Sequence, residues 1–169
     1  MSGIINSIIE MFGNVPHELI IFLISMVPVL ELRGGLIAAA ILGVDMNVAI
    51  PICMLGNFLP IPFILLFIDK IFNVLRNTKL VKLVDKLEAK ANKSAKSIMK
   101  HKRFGLTLFV GIPLPMTGAW TGALVAALFK FKLKESIPTI LLGLCLAATI
   151  MTIICYGFPS LFSSMVGTA

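Results

Sequence analysis

P-V-L-E-L-R-G-G, from Pro28 to Gly35, and P-M-T-G-A-W-T-G, from Pro115 to Gly122, interrupt two apolar runs where a membrane helix would be continuous. The two breaks lie 87 residues apart, and the match extends outward from them. Leu19 to Asn57 overlays Leu106 to Leu144 without a gap: Pro28 meets Pro115, Gly35 meets Gly122, Pro51 meets Pro138 and Gly56 meets Gly143, with Phe22 on Phe109. Leu and Ala coincidences arise by chance in apolar sequence. The Gly and Pro coincidences do not, and weak internal symmetry of this kind marks transporters built from inverted repeats.

Composition sets the solvent. A mean hydropathy of +1.00 with 58% hydrophobic residues excludes an ordinary water-soluble domain and predicts an all-α integral membrane protein. Of the fifteen Lys and Arg residues behind the net charge of +7, eleven fall between Lys70 and Arg103. Aromatic residues are almost absent there, so a cytoplasmic segment facing anionic lipid headgroups is expected, with no nucleic-acid partner. Cys53, Cys145 and Cys155 sit inside apolar runs with no metal-ligand spacing and read as small buried hydrophobes. Neither His17 nor His101 belongs to a cluster, and no metal or cofactor is expected. Met1 to Phe12 lacks the basic start and small-residue cleavage site of a secretory leader, so no processing is expected.

The single membrane domain divides into an interfacial helix (1–16), a first repeat (17–68), a basic amphipathic linker (69–103), a second repeat (104–158) and a tail (159–169). His17 to Val27 supplies about eleven apolar residues, roughly 16 Å of helix and half a bilayer. Leu36 to Val44 is its short partner. Val48 to Ile68 is long enough to cross, although Pro51, Pro60 and Pro62 should kink it. Phe104 to Ile112, Gly122 to Phe131 and Ile137 to Phe158 repeat that order. In the linker, Leu80, Leu83, Val84, Leu87, Ala91, Ala95 and Ile98 form an apolar stripe opposite Lys79, Lys82, Lys86, Lys90, Lys93 and Lys100.

Each broken stretch can be one kinked crossing helix or two half-helices that enter and leave on the same side. Crossing stretches would put Lys130, Lys132 and Lys134 outside, against the positive-inside bias. Re-entrant hairpins keep them inside and leave Met1 to Glu18 and Gly43 to Asn47, which carry no Lys or Arg, outside. One net crossing then separates the repeats, which come out inverted. The expected fold is an inverted repeat of a re-entrant helical hairpin plus a transmembrane helix, joined by a cytoplasmic amphipathic helix, in the plasma membrane.

Candidate chemistry concentrates at the breaks. Glu31 and Arg33 would lie near mid-membrane, where a charge costs about 2.5–3.5 kcal/mol on insertion scales and therefore faces a cavity or a partner. Pro28, Gly34 and Gly35 predict an unwound segment there. Glu31 reads as a proton or cation site and Arg33, with its planar fork, as the binder of an anionic substrate group. The competing reading is a Glu31–Arg33 or Glu31–backbone clasp. The second break, Pro113 to Gly122, has no charge; Gly118 and Gly122 permit close backbone approach, Thr117 and Thr121 add donors, and Trp120 stands opposite Arg33 in the repeat. Small residues that merely pack two loop tips are the alternative. No Ser has a His or Asp partner at hydrolase spacing, and no enzyme is expected.

P-V-L-E-L-R-G-G and G-I-P-L-P-M-T-G-A-W-T-G-A (Gly111 to Ala123) resemble the small multidrug export protein family over nearly the whole chain. More distantly, the layout is similar to the DedA and SNARE-associated membrane proteins, which have two opposed re-entrant loops. That resemblance implies proton-dependent transport or flipping of phospholipid or polyprenyl-phosphate carriers, with Glu31 as the acidic residue of the first loop and Pro115 as the proline of the second. Ile112 and Gly118 stand where the DedA pattern has arginines. The leading expectation is a small proton-coupled secondary transporter acting as a homodimer. A lipid flippase or scramblase, and a non-transporting membrane scaffold, are the alternatives.

Overall fold

The computed structural model describes residues 15–76, 81–82, 84–86, 89, 102–114 and 117–158. The interfacial helix over 1–14, most of the linker's lysine stripe, His101, Pro115 and the tail lie outside them. The described elements are all helical: α1 (His17–Met26), α2 (Glu31–Ile41), α3 (Met46–Phe58), α4 (Pro60–Arg76), α5 (Lys102–Gly111), α6 (Ala119–Leu128) and α7 (Leu133–Thr152), the last continued by a wider turn, Ile153–Gly157. The chain divides into two compact units, Met1–Asn57 with Cys145–Ala169, and Phe58–Leu144.

In the first unit α1 is apolar almost throughout and stops at Met26 because Pro28 holds Val27 in extended backbone. Val27 to Leu30 turns the chain: the amides of Leu30 and Glu31 both donate to the Val27 carbonyl, at 3.2 and 2.9 Å. α2 then packs back along α1. The ends agree with a hairpin, since Val15 to Glu18, which start α1, and Gly43 to Asp45, which follow α2, line one cavity. α2 ends in a Schellman motif. The Gly43 amide donates to Ala40 and the Val44 amide to Ala39, with Gly43 in the left-handed region at φ 67°. Asp45 caps α3, its carboxylate accepting from the Asn47 amide at 2.8 Å. Tyr156, beyond α7, donates to the Val44 carbonyl at 3.0 Å.

The second unit repeats this construction. α5 and α6 form the arms, α4 packs on α6, and the start of α7 lies against α5. Contacts between α5 and α7 advance together: Arg103 meets Glu135 at 2.8 Å, the Thr107 hydroxyl donates to the Thr139 carbonyl at 3.2 Å, and a Cβ on Gly143 would lie 2.6 Å from that of Val110. These helices therefore run parallel, with α6 returning between their starts. A continuous helix from Arg103 to Glu135 would separate the two by roughly 48 Å at 1.5 Å per residue.

The backbone bonds show how deep the repeat goes. The α2 motif recurs after α6, where Lys130 donates to Ala127 and Phe131 to Ala126. Val48 and Ala49 donate to Asp45 at the start of α3, as Glu135 and Ser136 donate to Lys132 at the start of α7. Each of these pairs is 87 residues apart. The gap-free overlay fails in the outer helix, however. Gly35 abuts Ser25 and Ile21, whereas Gly122 abuts Val110 and Leu106; Gly56 abuts the Phe22 carbonyl and Ser25, whereas Gly143 abuts the Thr107 carbonyl and Val110. Those partners are 85 residues apart, so α5 matches α1 two residues earlier than the overlay had it, and the pairing of Phe22 with Phe109 is accidental. The second break is the longer by that amount.

Two helical stretches, Met46–Ile68 and Leu133–Gly157, are long and apolar enough to cross a membrane, and most of each is uncovered by the rest of the chain. The first has a turn at Leu59 where Pro60 withholds its amide. Leu55, Phe63 and Leu142 are each at least 60% exposed. Apolar surface on that scale belongs in lipid or against another chain.

Candidate functional site

The first break is shorter than its glycines predict. The unwound part is only Val27 to Leu30; Arg33, Gly34 and Gly35 are helical, because Leu30 accepts the Gly34 amide at 2.8 Å and the turn passes directly into α2. Gly34 and Gly35 do different work from the expected loop opening. Gly35 brings α2 against Ser25 of α1 and Cys53 of α3, where a Cβ would collide. Pro28 is exposed at the tip.

Glu31 stands at the junction of turn and helix with φ 52°. A residue with a Cβ in the left-handed region costs roughly 1–2 kcal/mol, and such strain collects at functional positions. Its side chain is only 5% exposed. Arg33, half-buried two residues on, has the Glu31 carboxylate within electrostatic reach. The predicted pair is thus brought together on the first turn of α2, and the Glu31 charge also sits at the positive end of that helix.

One polar residue on this unit was missed in the sequence. Asn57 lies at the end of the buried face of α3, which it shares with Ala49, Cys53 and Gly56, and is fully buried. Neither its carboxamide nitrogen nor its oxygen has a hydrogen-bond partner among the described residues. Such a group costs about 1–3 kcal/mol. The signal was in the repeat: the residue 87 positions on is Leu144, also buried. Along α3, Asn57 is one turn beyond Cys53; along α2, Glu31 is one turn before Gly35. Gly35 and Cys53 touch, and both steps lead toward the hairpin tip.

In the second unit, Pro113 follows the end of α5, and Thr117 closes the loop. Its hydroxyl lies 3.0 and 2.9 Å from the carbonyls of Ile112 and Leu114 and donates to them. That role is structural. Gly118 takes φ 136° with extended ψ, a conformation open essentially to glycine alone, and α6 begins at the next residue. Thr121 and Gly122 are buried on the first turn of α6, Trp120 partly so, and Gly122 receives Val110 of α5. The break therefore offers a helix start with no charged side chain on it. The two breaks belong to different compact units.

At the open end of the second hairpin the Arg103–Glu135 ion pair is half in solvent. The hydrogen bond to Glu135 and its charge raise the Arg103 pKa, so the pair stays ionised. It borders a cavity of about 320 Å³ that Lys130 and Lys132 also line.

The described elements are all helical, two of the helical stretches are long and apolar enough to cross a membrane, and charged groups sit at a helix break. Residues 31–150 match the family model described as "putative small multi-drug export protein". The chain belongs to this family. No curated protein and no solved structure matches it.

Proposed function

We propose that the protein is a small proton-coupled secondary transporter of the multidrug export type, with both hairpins re-entrant in the plasma membrane and the linker cytoplasmic. The observation that carries the reading is Glu31: a carboxylate buried at the break of a half-length apolar hairpin, in strained backbone, with Arg33 beside it. A buried carboxylate with a cation beside it is the chemistry a coupling site uses. Glu31 is assigned the proton. Arg33, with Gly34 and Gly35 of the same helix turn, is assigned the anionic group of the substrate. In the second break Pro115, Thr117, Gly118, Trp120, Thr121 and Gly122, in the loop that Pro113 starts, are assigned to the substrate site.

Re-entrance is supported by the parallel course of α5 and α7 and by the cavity shared between the start of α1 and the end of α2. If Met46–Ile68 crosses once, the hairpins open to opposite faces and the repeats are inverted. Two crossing helices with so much uncovered apolar surface favour a homodimer.

Proteoliposomes loaded with a lipophilic anionic dye and given a pH gradient test the reading. Gradient-driven dye movement is expected in the parent protein and its loss in Glu31→Gln that retains the parent unfolding temperature. Undiminished transport by Glu31→Gln rejects the assignment.

A further inference from the structure

The cavity at the open end of the second hairpin is built from residues that break local rules which the first hairpin obeys. After α2 the chain reads Gly43-Val44-Asp45: glycine takes the left-handed position and aspartate caps the next helix. After α6 the same hydrogen bonds are made by Lys130-Phe131-Lys132. Lys130 takes φ 52°, where a Cβ is strained and the partner hairpin has glycine. Lys132 stands at the cap position of the 20-residue helix α7, where a cation opposes the positive end of the helix and its side chain cannot accept an amide bond. Neither lysine serves the fold better than its counterpart. Both line the same cavity of about 320 Å³, together with Arg103, Glu135, Ser136 and Thr139.

The balance of charge there is positive. Arg103 holds Glu135 at 2.8 Å, and neither Lys130 nor Lys132 has a carboxylate partner among the described residues. The Ser136 and Thr139 hydroxyls donate back to the Lys132 and Glu135 carbonyls, and the Glu135 and Ser136 amides to the Lys132 carbonyl, so these donors are spent within the helix. A singly or doubly charged anion with several acceptor oxygens satisfies both lysines at once, and removes the electrostatic cost of a lysine at that cap.

We propose that this cavity is a phosphate-binding site, separate from the two breaks and distinct from the assigned transport residues, that takes the phosphate of an anionic phospholipid headgroup at the membrane face or a soluble phosphate of the same chemistry. In the re-entrant topology the cavity opens at the cytoplasmic surface, the depth at which headgroup phosphates lie. The site does not depend on the chain being a transporter.

Full-length protein in neutral detergent is exchanged against phosphatidylglycerol or phosphatidylcholine and read by native mass spectrometry, while inorganic phosphate is titrated in a thermal-shift assay. Lys130→Gly and Lys132→Asn install the kinds of residue that suit these positions, so each should unfold no earlier than the parent. Expected is retention of phosphatidylglycerol over phosphatidylcholine, weakened roughly tenfold in either variant, as for loss of one charge-assisted donor in a half-open site. Lys134→Gln, which does not line the cavity, should bind as the parent does. Saturation by inorganic phosphate with the same variant pattern, and no lipid preference, would assign the site to a soluble phosphate. Equal loss in Lys134→Gln, or full binding by both cavity variants, or no binding of either probe by the parent, overturns the proposal.

Discussion

At the scale of single residues, this chain departs from local preference at Glu31, Lys130, Lys132 and Asn57, and three of those four carry charge. Glu31 combines burial with left-handed backbone, so its two costs can be separated. Glu31→Gly should relieve the strain and raise stability by about 1 kcal/mol while abolishing pH-driven transport; Glu31→Gln should abolish transport without that gain. Thermal unfolding and dye flux measured on the same preparations check both. Asn57 gives the complementary case. Replacing it by leucine, the residue at the matching position of the other repeat, removes a buried carboxamide without partners and should stabilise by about 1–3 kcal/mol. Lowered unfolding temperature in Asn57→Leu would show that the carboxamide is satisfied in the membrane by something the chain itself does not supply.

At the scale of elements, close helix contacts rest on small residues set in register, and they are sensitive to one added methyl. A Cβ on Gly143 would stand 2.6 Å from the Val110 Cβ and 2.9 Å from the Thr107 carbonyl, both rigid parts of α5. Gly143→Ala should therefore cost about 1–3 kcal/mol, seen as a lower unfolding temperature. The parallel course of α5 and α7 has its own test. Thr107→Cys with Thr139→Cys joins positions that a hydrogen bond already links, and oxidation should produce an internal disulfide detectable by mass. A continuous crossing helix would keep those thiols too far apart to react.

Much of this element plan was legible in the sequence, and the reasons differ by feature. Prolines and glycines located both breaks because they act locally, on their own φ and on the residue before. Element starts and stops shifted by a few residues: α2 begins at Glu31 rather than Leu36, because helical hydrogen bonding tolerates Gly34 and Gly35 once packing against Ser25 and Cys53 favours it. The two-residue slip of α5 could not be seen in an apolar run where Phe, Leu and Ile recur in either register. Nor could the left-handed backbone of Glu31, whereas the burial of Asn57 had a signal in its repeat mate Leu144. Of the site, the charges of Glu31 and Arg33 at the first break were readable; that both stand on the first turn of a helix, and that the Thr117 hydroxyl is engaged in its own loop, were not.

At the scale of the whole molecule, the matter is which way each hairpin opens. On the re-entrant reading the loops Gly43–Asn47 and Lys130–Lys134 lie on opposite faces of the membrane. Single cysteines at Asn47 and Lys134, in a background lacking Cys53, Cys145 and Cys155, should be modified by an impermeant maleimide from opposite sides of oriented vesicles. Labelling of both from one side would remove the inversion and the transport model built on it.

The two extra residues between α5 and α6 carry a practical meaning for changes of length. A two-residue slip inside a helix turns its faces by about 200°, which would carry Val110 away from Gly122 and Gly143. Placed at the tip, the same two residues leave every packed face where it was. The tip is thus the position where this architecture absorbs insertions, and a chain that gains or loses small apolar residues there should still fold, whereas one altered within α5 should not.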